Sequence, residues 1–346
     1  FQVGVQSLQN LVTVDEASAS LSHVADAVVE VLFGDVLAGL RDHHGRVPGG
    51  GCAVVAMGKL GAGEMTFESD LDLLFVADVP DDREQTTGPA AIEAGRFYGR
   101  AAQRLIAALR SRSASGRLYE VDMRLRPSGD SGPLVTTLGA FREYHASAAW
   151  TWEQMSLTRS RVVCGDAATA AAVAGEIRGI LVRPRDPERL LEDVARMRER
   201  VAAEYPPGDP FDLKYARGGL VDLEFIAQYL QLLHAHGHPG VLAGGTAACF
   251  EALAAAGLLP EGEARFLAAA VRMQRTLQAL LRLTWNEESP VREAPEPLRA
   301  KLAAALECEG FEELEGKLRG TQEQAFDLYQ RCIGRPAMGA GKQEGG

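Results

Sequence analysis

The chain has 346 residues, is 46% hydrophobic and carries a net charge of −11. A protein that follows a phosphate backbone normally presents a basic surface, so this charge argues against a nucleic-acid partner. No apolar run approaches the roughly 20 residues that a membrane span needs, and no charged-then-apolar leader opens the chain. We therefore predict a soluble, cytoplasmic protein with no membrane partner, long enough for about two domains.

The first half of the chain alternates between helix and strand patterns. Helical spacing of apolar residues predicts helices over residues 15–42 and 90–113. Two short apolar runs, Cys52 to Met57 and Leu71 to Val76, predict buried strands. The acidic, turn-rich residues 78–89 are expected to form a loop.

A glycine-rich turn joins the two predicted strands. Gly58, Gly61 and Gly63 would let backbone N–H groups approach a triphosphate without a Cβ in the way. Their order is wrong for a dinucleotide-binding fingerprint, and Leu60 follows Gly58-Lys59 where a P-loop has Ser or Thr. A nucleotide at this turn would therefore be held in another way.

Asp70 and Asp72 stand two residues apart at the start of the second strand. Side chains alternate along a strand, so both carboxylates point the same way while Leu71 and Leu73 pack into the core. Like charges on one face repel unless a cation lies between them, and Mg²⁺ prefers oxygen ligands together with phosphates. An isolated Asp-x-Asp is more often a polar strand end, but the upstream glycines and a third acid favour metal-dependent phosphate chemistry.

The third acid lies in residues 118–127, where alternating polarity predicts an amphipathic strand. Its polar face would carry Asp122 flanked by Arg124 and Arg126. In such a set the acid binds metal or accepts a proton, and the arginines hold phosphate oxygens. A solvated strand face with i, i+2 ion pairs would show the same pattern.

Strand signals end near Pro187, and the rest of the chain reads as a helical bundle. The predicted helices cover residues 187–204, 221–236, 247–257, 261–286, 295–308 and 311–333. The predicted domains are residues 1–185, with strands and an N-terminal helix, residues 186–333, and a glycine-rich disordered tail over 334–346.

Longer motifs surround these residues. They are Gly58-Lys-Leu-Gly61 with Ser69-Asp-Leu-Asp72, Tyr119-Glu-Val-Asp-Met-Arg-Leu-Arg-Pro-Ser-Gly129, and the run from Phe211 to Tyr229. Together they resemble the glutamine synthetase adenylyltransferase (glutamate-ammonia-ligase adenylyltransferase) family of DNA polymerase β-like nucleotidyltransferases. The resemblance covers most of residues 10–235.

The resemblance implies an α+β fold, in which a polymerase β-like nucleotidyltransferase domain with a mixed sheet and helices precedes an all-α helical bundle domain. It implies that Asp70, Asp72 and Asp122 are the catalytic residues and hold two Mg²⁺ ions, with ATP as substrate. The nucleotide-binding residues would be Gly58, Lys59, Gly61, Gly63, Ser69, Arg124 and Arg126.

Members of the family carry two nucleotidyltransferase halves, one that adds AMP to a tyrosine of glutamine synthetase and one that removes it by phosphorolysis. Tyr119-Glu-Val-Asp122 and Trp150-Thr-Trp-Glu153 resemble the C-terminal, adenylylating half, whereas Asp130-Ser-Gly-Pro-Leu-Val135 is closer to the removing half. We predict the adenylylating activity, which regulates nitrogen assimilation. Glutamine synthetase would be the protein substrate, and the PII signalling protein and glutamine would be regulators.

Three alternatives remain open from the sequence. The same acids could run the phosphorolytic removal of AMP, or the chain could be a glutamine- or PII-sensing module without activity of its own. Transfer to a small molecule such as an aminoglycoside fits the Asp-x-Asp but fits the long helical part less well. The polar segment from Lys214 to Gly219, followed by Asp222, is explained either by helix capping or by a role in nucleotide or target binding.

Overall fold

The computed structural model describes residues 1–81, 84–113, 116–206, 208–285 and 289–340. The chain divides into two compact units. Residues Ala19–Leu181 form one, called here the sheet unit, and Phe1–Ser18 with Val182–Gly346 form the other, called here the helical unit. Each contains its own buried cluster of apolar side chains.

The strands of the described residues all lie in the sheet unit. They are β1 (Gly51–Ala56), β2 (Leu71–Asp78), β3 (Arg112–Ser113), β4 (Gly116–Arg117), β5 (Val121–Asp122), β6 (Val135–Thr137) and β7 (Arg161–Gly165).

The α-helices belong to both units. They are α1 (Gln2–Leu8), α2 (Val14–His44), α3 (Gly58–Gly61), α4 (Ala94–Leu109), α5 (Leu138–Ser147), α6 (Thr151–Leu157), α7 (Ala167–Leu181), α8 (Pro187–Glu204), α9 (Leu220–His234), α10 (Thr246–Ala255), α11 (Glu261–Thr284), α12 (Glu296–Ala305), α13 (Phe311–Tyr329) and α14 (Arg335–Ala340).

The main sheet is built around β1 and β2, which pair antiparallel. β7 pairs antiparallel with the other edge of β1. The free edge of β2 is shared by two short parallel strands, β5 beside its first residues and β6 further along. This mixed sheet with its surrounding helices fits the predicted α+β class.

Both faces of the sheet are covered by helices. On one face, Phe33 of α2 and Phe97 of α4 join Phe75 of β2 in a single buried cluster. The alternate residues Leu74 and Val76 are also buried and point to the other face, where α5 and α7 pack against the strands. The two apolar runs are therefore central strands, as their composition predicts.

The strand predicted over residues 118–127 is wrong for most of its length. Only Val121–Asp122 joins a ladder, and the chain then turns. The Arg124 amide N donates to Asp122 Oδ1 (2.8 Å), and Ser128 takes a left-handed conformation at φ 62°. A side chain of the segment itself thus replaces the ladder as the partner of its backbone.

The helical unit confirms the helices predicted beyond Pro187, which the structure shows as α8 to α13. The last residue of the predicted 261–286 helix lies outside the described residues, as do residues 82–83 of the predicted loop. Helix α1 packs against α11, and the Lys301 ammonium donates to the Leu8 carbonyl. These contacts explain why the first residues group with the helical unit rather than with the predicted domain 1–185.

The predicted disordered tail differs from the structure over its first part. A π-helical turn, Gln330–Gly334, continues α13 and leads into α14. Ile333 is fully buried, and α14 packs against α8, so tertiary contacts order a segment that its glycines made look unstructured. Residues 341–346 lie outside the described residues.

A buried polar network crosses the core of the helical unit. Arg198 of α8 donates through Nε to Asp222 Oδ1 (2.5 Å), and the Gly218 amide donates to Asp222 Oδ2 (2.5 Å). Gln274 of α11 donates to the Gly218 carbonyl (3.0 Å), and Gln322 of α13 donates to Gln274 (3.3 Å). Asp222 is in the first turn of α9, as capping predicts, but it is an interior group that joins the preceding loop to α8.

Every helix in the described ranges is too short or too polar to cross a lipid bilayer.

Candidate functional site

The parallel pairing of β2 and β5 brings two of the predicted catalytic acids together. Asp72 and Asp122 are paired residues in the ladder, so their side chains leave the sheet on the same face. Asp70 lies two residues before Asp72, directly before β2 begins, and its charge acts on Asp72. The sequence placed these acids on separate strands, and the register makes them neighbours.

The electrostatics of Asp72 are those of a crowded carboxylate. Burial, followed by the charge of Asp122, raises the pKa of Asp72 to about 6, although Arg159 opposes the shift. The charge of Asp70 adds to the increase. A cation at this position would relieve the repulsion and lower the pKa.

The pKa of Asp72 predicts how stability depends on pH. Because the pKa is raised on folding, its contribution is fully present below the unfolded value of 3.8 and is lost as pH rises through about 6. We expect this residue to cost the metal-free protein about 2 kcal/mol between pH 4 and pH 7. Urea unfolding in a chelator, compared between wild type and Asp72→Asn, measures the difference. Identical pH profiles would contradict the raised pKa.

Asp122 is held by its neighbour Arg124. The guanidinium donates to Asp122 Oδ2 through Nε (2.8 Å) and Nη2 (2.5 Å), and Nε also reaches Oδ1 (3.1 Å). Burial works to raise the pKa of Asp122, but the bonds from Arg124 outweigh it and hold the pKa below its usual value. The structure thus shows the i, i+2 ion pair that the sequence left open as an alternative, within a turn rather than along a strand.

The glycine turn contacts the carboxylates directly. Gly58 has φ 56°, and a Cβ built on it would lie 2.4 Å from Asp72 Oδ2. The amides of Gly61 and Gly63 donate to the carbonyls of Met57 (2.9 Å) and Leu60 (3.1 Å), so these two N–H groups close α3. This differs from the expectation that all three glycine amides face a triphosphate.

Two glycine substitutions separate backbone strain from crowding at the carboxylate. Gly58→Ala combines a left-handed backbone with a collision at Asp72, whereas Gly63→Ala, at φ 71°, meets no atom within 4 Å. We expect each to lose about 1–2 kcal/mol of stability from strain, and only Gly58→Ala to displace Asp72 and reduce activity by tenfold or more. Thermal unfolding and initial rates of both variants check this. Equal activity losses would show that the Gly58 contact does not matter.

The remaining predicted residues make mainly local contacts. Ser69 Oγ bonds to the Thr66 hydroxyl (2.7 Å) and accepts from the Thr66 amide (3.1 Å), so it closes the turn before Asp70. Lys59 Nζ is 3.5 Å from Thr66 Oγ1. Arg126 donates to the Met123 carbonyl (2.6 Å) and pairs with Asp130 (3.3 Å), so it is bonded within its own loop and is not aligned with Arg124. Ser69 therefore closes the turn before Asp70, and Arg126 stabilises the loop after Asp122.

A buried ion pair beneath the site was missed from sequence. Arg159 donates to Glu64 Oε2 (2.8 Å), and both side chains are buried. The Arg159 carbonyl also lies so close to Gly61 that a Cβ there would be 2.1 Å away. The sequence gives no local sign of this pair, because the two partners are 95 positions apart.

A cleft of about 660 Å³ opens beside Asp70. Its walls are the turn before Asp70, the β3–β4 hairpin and the residues leading into β5. Arg112 and Arg117 of the hairpin line it together with Asp70 and give it basic groups. Strands of two residues carry no periodic signal, so the sequence did not reveal this wall.

The acids fit a hard divalent cation in chemistry but only partly in arrangement. Asp70 and Asp72 supply carboxylate oxygens, and the raised pKa of Asp72 indicates a place suited to positive charge. Among the residues that the structure describes, no three His, Cys, Asp or Glu side chains stand together as a metal-ligand set. Asp122 would complete one only after releasing Arg124.

Two family models and a set of curated relatives match this chain. A family model described as glutamate-ammonia ligase adenylyltransferase matches residues 1–176, and one described as GlnD PII-uridylyltransferase matches residues 187–332. Curated relatives named bifunctional glutamine synthetase adenylyltransferase/adenylyl-removing enzyme include those of Bradyrhizobium diazoefficiens (41% identical), Xanthobacter autotrophicus (39%) and Rhodopseudomonas palustris (38%). Each match covers 96% of this chain and 34% of the relative, so the chain spans about a third of their length.

Proposed function

Because the chain belongs to the glutamate-ammonia ligase adenylyltransferase family, we propose that its sheet unit is a nucleotidyltransferase domain that transfers AMP from ATP to a tyrosine of glutamine synthetase. The single observation that carries the proposal is the register of β2 and β5, which pairs Asp72 with Asp122. Acids on neighbouring strands of a mixed sheet also support the polymerase β-like assignment. A cytoplasmic location is part of the proposal, since the reaction consumes ATP.

Three acids would bind the cations that act on the reacting phosphate. Asp70 and Asp72 would hold Mg²⁺, and Asp122 would complete a second Mg²⁺ position. Bound Mg²⁺ would supply neutralisation of the triphosphate and of the charge that develops during in-line displacement. Mg²⁺ and its number are supported by the chemistry of the carboxylates and by the raised pKa of Asp72.

The protein's own groups would align the reaction. Asp122 would orient the acceptor tyrosine hydroxyl and take its proton, and the hydroxyl oxygen would attack the α-phosphorus as the bond to pyrophosphate breaks. Gly58 would leave room for the phosphates against Asp72, since a side chain there would occupy that space. The cleft beside Asp70 is a candidate place for part of the substrates.

Removal of AMP by phosphorolysis is the second candidate function. The relatives' printed names include the adenylyl-removing activity, and residues 130–135 resemble the wording of the removing half. In that reaction inorganic phosphate would attack adenylyl-tyrosine at the same acids and release ADP.

Regulation through the helical unit is a further part of the proposal. The match of residues 187–332 to a model described as GlnD PII-uridylyltransferase supports an interaction with the PII signalling protein. Sensing of glutamine rests on the family resemblance alone.

Intact-mass spectrometry of glutamine synthetase tests the function. Unmodified glutamine synthetase is incubated with the chain, Mg²⁺ and ATP, with and without glutamine, and Asp72→Asn serves as the negative control. Gain of one adenylyl group per subunit supports the proposal. No gain, with release of ADP from pre-adenylylated enzyme and phosphate, would instead assign the removing activity. If neither AMP transfer nor ADP release is detected, a regulatory module would be favoured.

A further inference from the structure

Arg124 and Asp122 form a closed pair at the edge of the site. Both Asp122 oxygens accept bonds from the Arg124 guanidinium, and Oδ1 also accepts from the Arg124 amide. An acid whose oxygens are all engaged in this way has little capacity left for a cation or for a tyrosine proton. In this arrangement the Asp122 carboxylate is therefore not available to bind a cation or to accept a proton.

The two partners differ in how firmly they are held. The Arg124 side chain is 76% exposed, whereas the Asp122 side chain is 19% exposed. The acid is fixed by its place in β5, and the arginine can leave by rotating its side chain through solvent. An ion pair with one exposed partner is weak enough to be exchanged for a stronger one.

A triphosphate is such a stronger partner. Its oxygens match the planar fork of a guanidinium as a carboxylate does, and it carries more negative charge. Arg124 is bonded to Asp122, which is paired with Asp72 in the β2–β5 ladder, so it lies beside the acids. A nucleotide bound at the acids would therefore come within the range of Arg124.

We propose that Arg124 is a positioning residue that exchanges partners, holding Asp122 in the nucleotide-free chain and releasing it when its guanidinium moves to the triphosphate. The inference rests on the proposed function, since it needs nucleotide and cation to bind at these acids. Asp122 then becomes available for a cation and for the acceptor hydroxyl only after the nucleotide has arrived. Nucleotide and the second cation consequently bind with positive coupling, and each strengthens the other by the same factor.

Mn²⁺ binding to the full chain tests the exchange without relying on activity. The loss of the EPR signal of free Mn²⁺ measures how many ions are bound. In the absence of nucleotide, wild type should bind one Mn²⁺, and Arg124→Gln should bind a second. With α,β-methylene-ATP both proteins should bind two. In a chelator, Arg124→Gln should bind this nucleotide about tenfold more weakly than wild type does.

Arg110→Gln is the matched control. Arg110 also acts on the charge of Asp122, but its guanidinium donates to the Val121 carbonyl (2.5 Å) and not to the carboxylate. It should keep the wild-type number of one Mn²⁺ without nucleotide. A second Mn²⁺ in Arg110→Gln as well would show that loss of positive charge, not release of Asp122, is responsible, and would overturn the exchange.

Asp72→Asn separates failure of the inference from failure of the function. It should bind no Mn²⁺ in the absence of nucleotide. If Asp72→Asn binds no Mn²⁺ while Arg124→Gln still binds only one ion, the acids form a cation site but Arg124 does not block binding of a second ion. If Asp72→Asn binds Mn²⁺ as wild type does, the metal site of the proposed function is wrong and the exchange is wrong with it.

Discussion

Asp72→Asn is expected to reduce AMP transfer by about 10³-fold or more, the scale of losing a preorganised charged group at a reacting centre. Asparagine keeps the shape of the side chain but supplies no negative charge for a cation. The charges of Asp122 and Asp70 both raise the pKa of Asp72, so a cation shared with either neighbour would need the Asp72 carboxylate. Initial rates by mass spectrometry of glutamine synthetase measure the loss.

The same substitution should leave the sheet unit folded. The ionised Asp72 carboxylate lowers the stability of the folded protein at neutral pH, because burial and the neighbouring charges disfavour the ionised form. Removing that charge should hold or increase the free energy of unfolding at pH 7. Asp35→Asn, at an exposed position of α2, is the matched control and should change neither activity nor stability. Normal transfer by folded Asp72→Asn would refute the catalytic assignment.

Asp222→Asn is expected to lower the stability of the helical unit by about 3–5 kcal/mol, the usual cost of leaving one member of a buried ion pair without its partner. Arg198 and Asp222 are both almost fully buried, at 1% and 0% exposure. Asparagine could still accept from the Gly218 amide, but the Arg198 charge would stay in the interior uncompensated. The urea unfolding transition of the helical unit measures this change in stability.

Two further variants test the reason for this loss. Arg265→Gln breaks an ion pair with Glu261 in which both side chains are more than 70% exposed, and it should change stability far less. The double variant Arg198→Met with Asp222→Leu removes both charges and should recover part of the lost stability. No recovery in the double variant would indicate that the network, rather than the unpaired charge, sets the cost.

The elements of this protein were largely predictable because their signals are local. Six helices beyond Pro187 and the central strands β1 and β2 follow from apolar spacing alone. The strand predicted over residues 118–127 failed because the Asp122 side chain bonds the next turn, a competition that alternation of polarity does not register.

What the sequence by itself determined is therefore eight of the helices, the two central strands and the family. Only the tertiary structure decided which groups meet. The register of β2 and β5 paired Asp72 with Asp122, and contacts with α11 grouped the first 18 residues with the helical unit. Asp222, which the sequence allowed as a helix cap, is fully buried in the core. The physical reason is that spacing along the chain reports the period of one element, whereas charge, pKa and burial depend on neighbours that are distant in sequence.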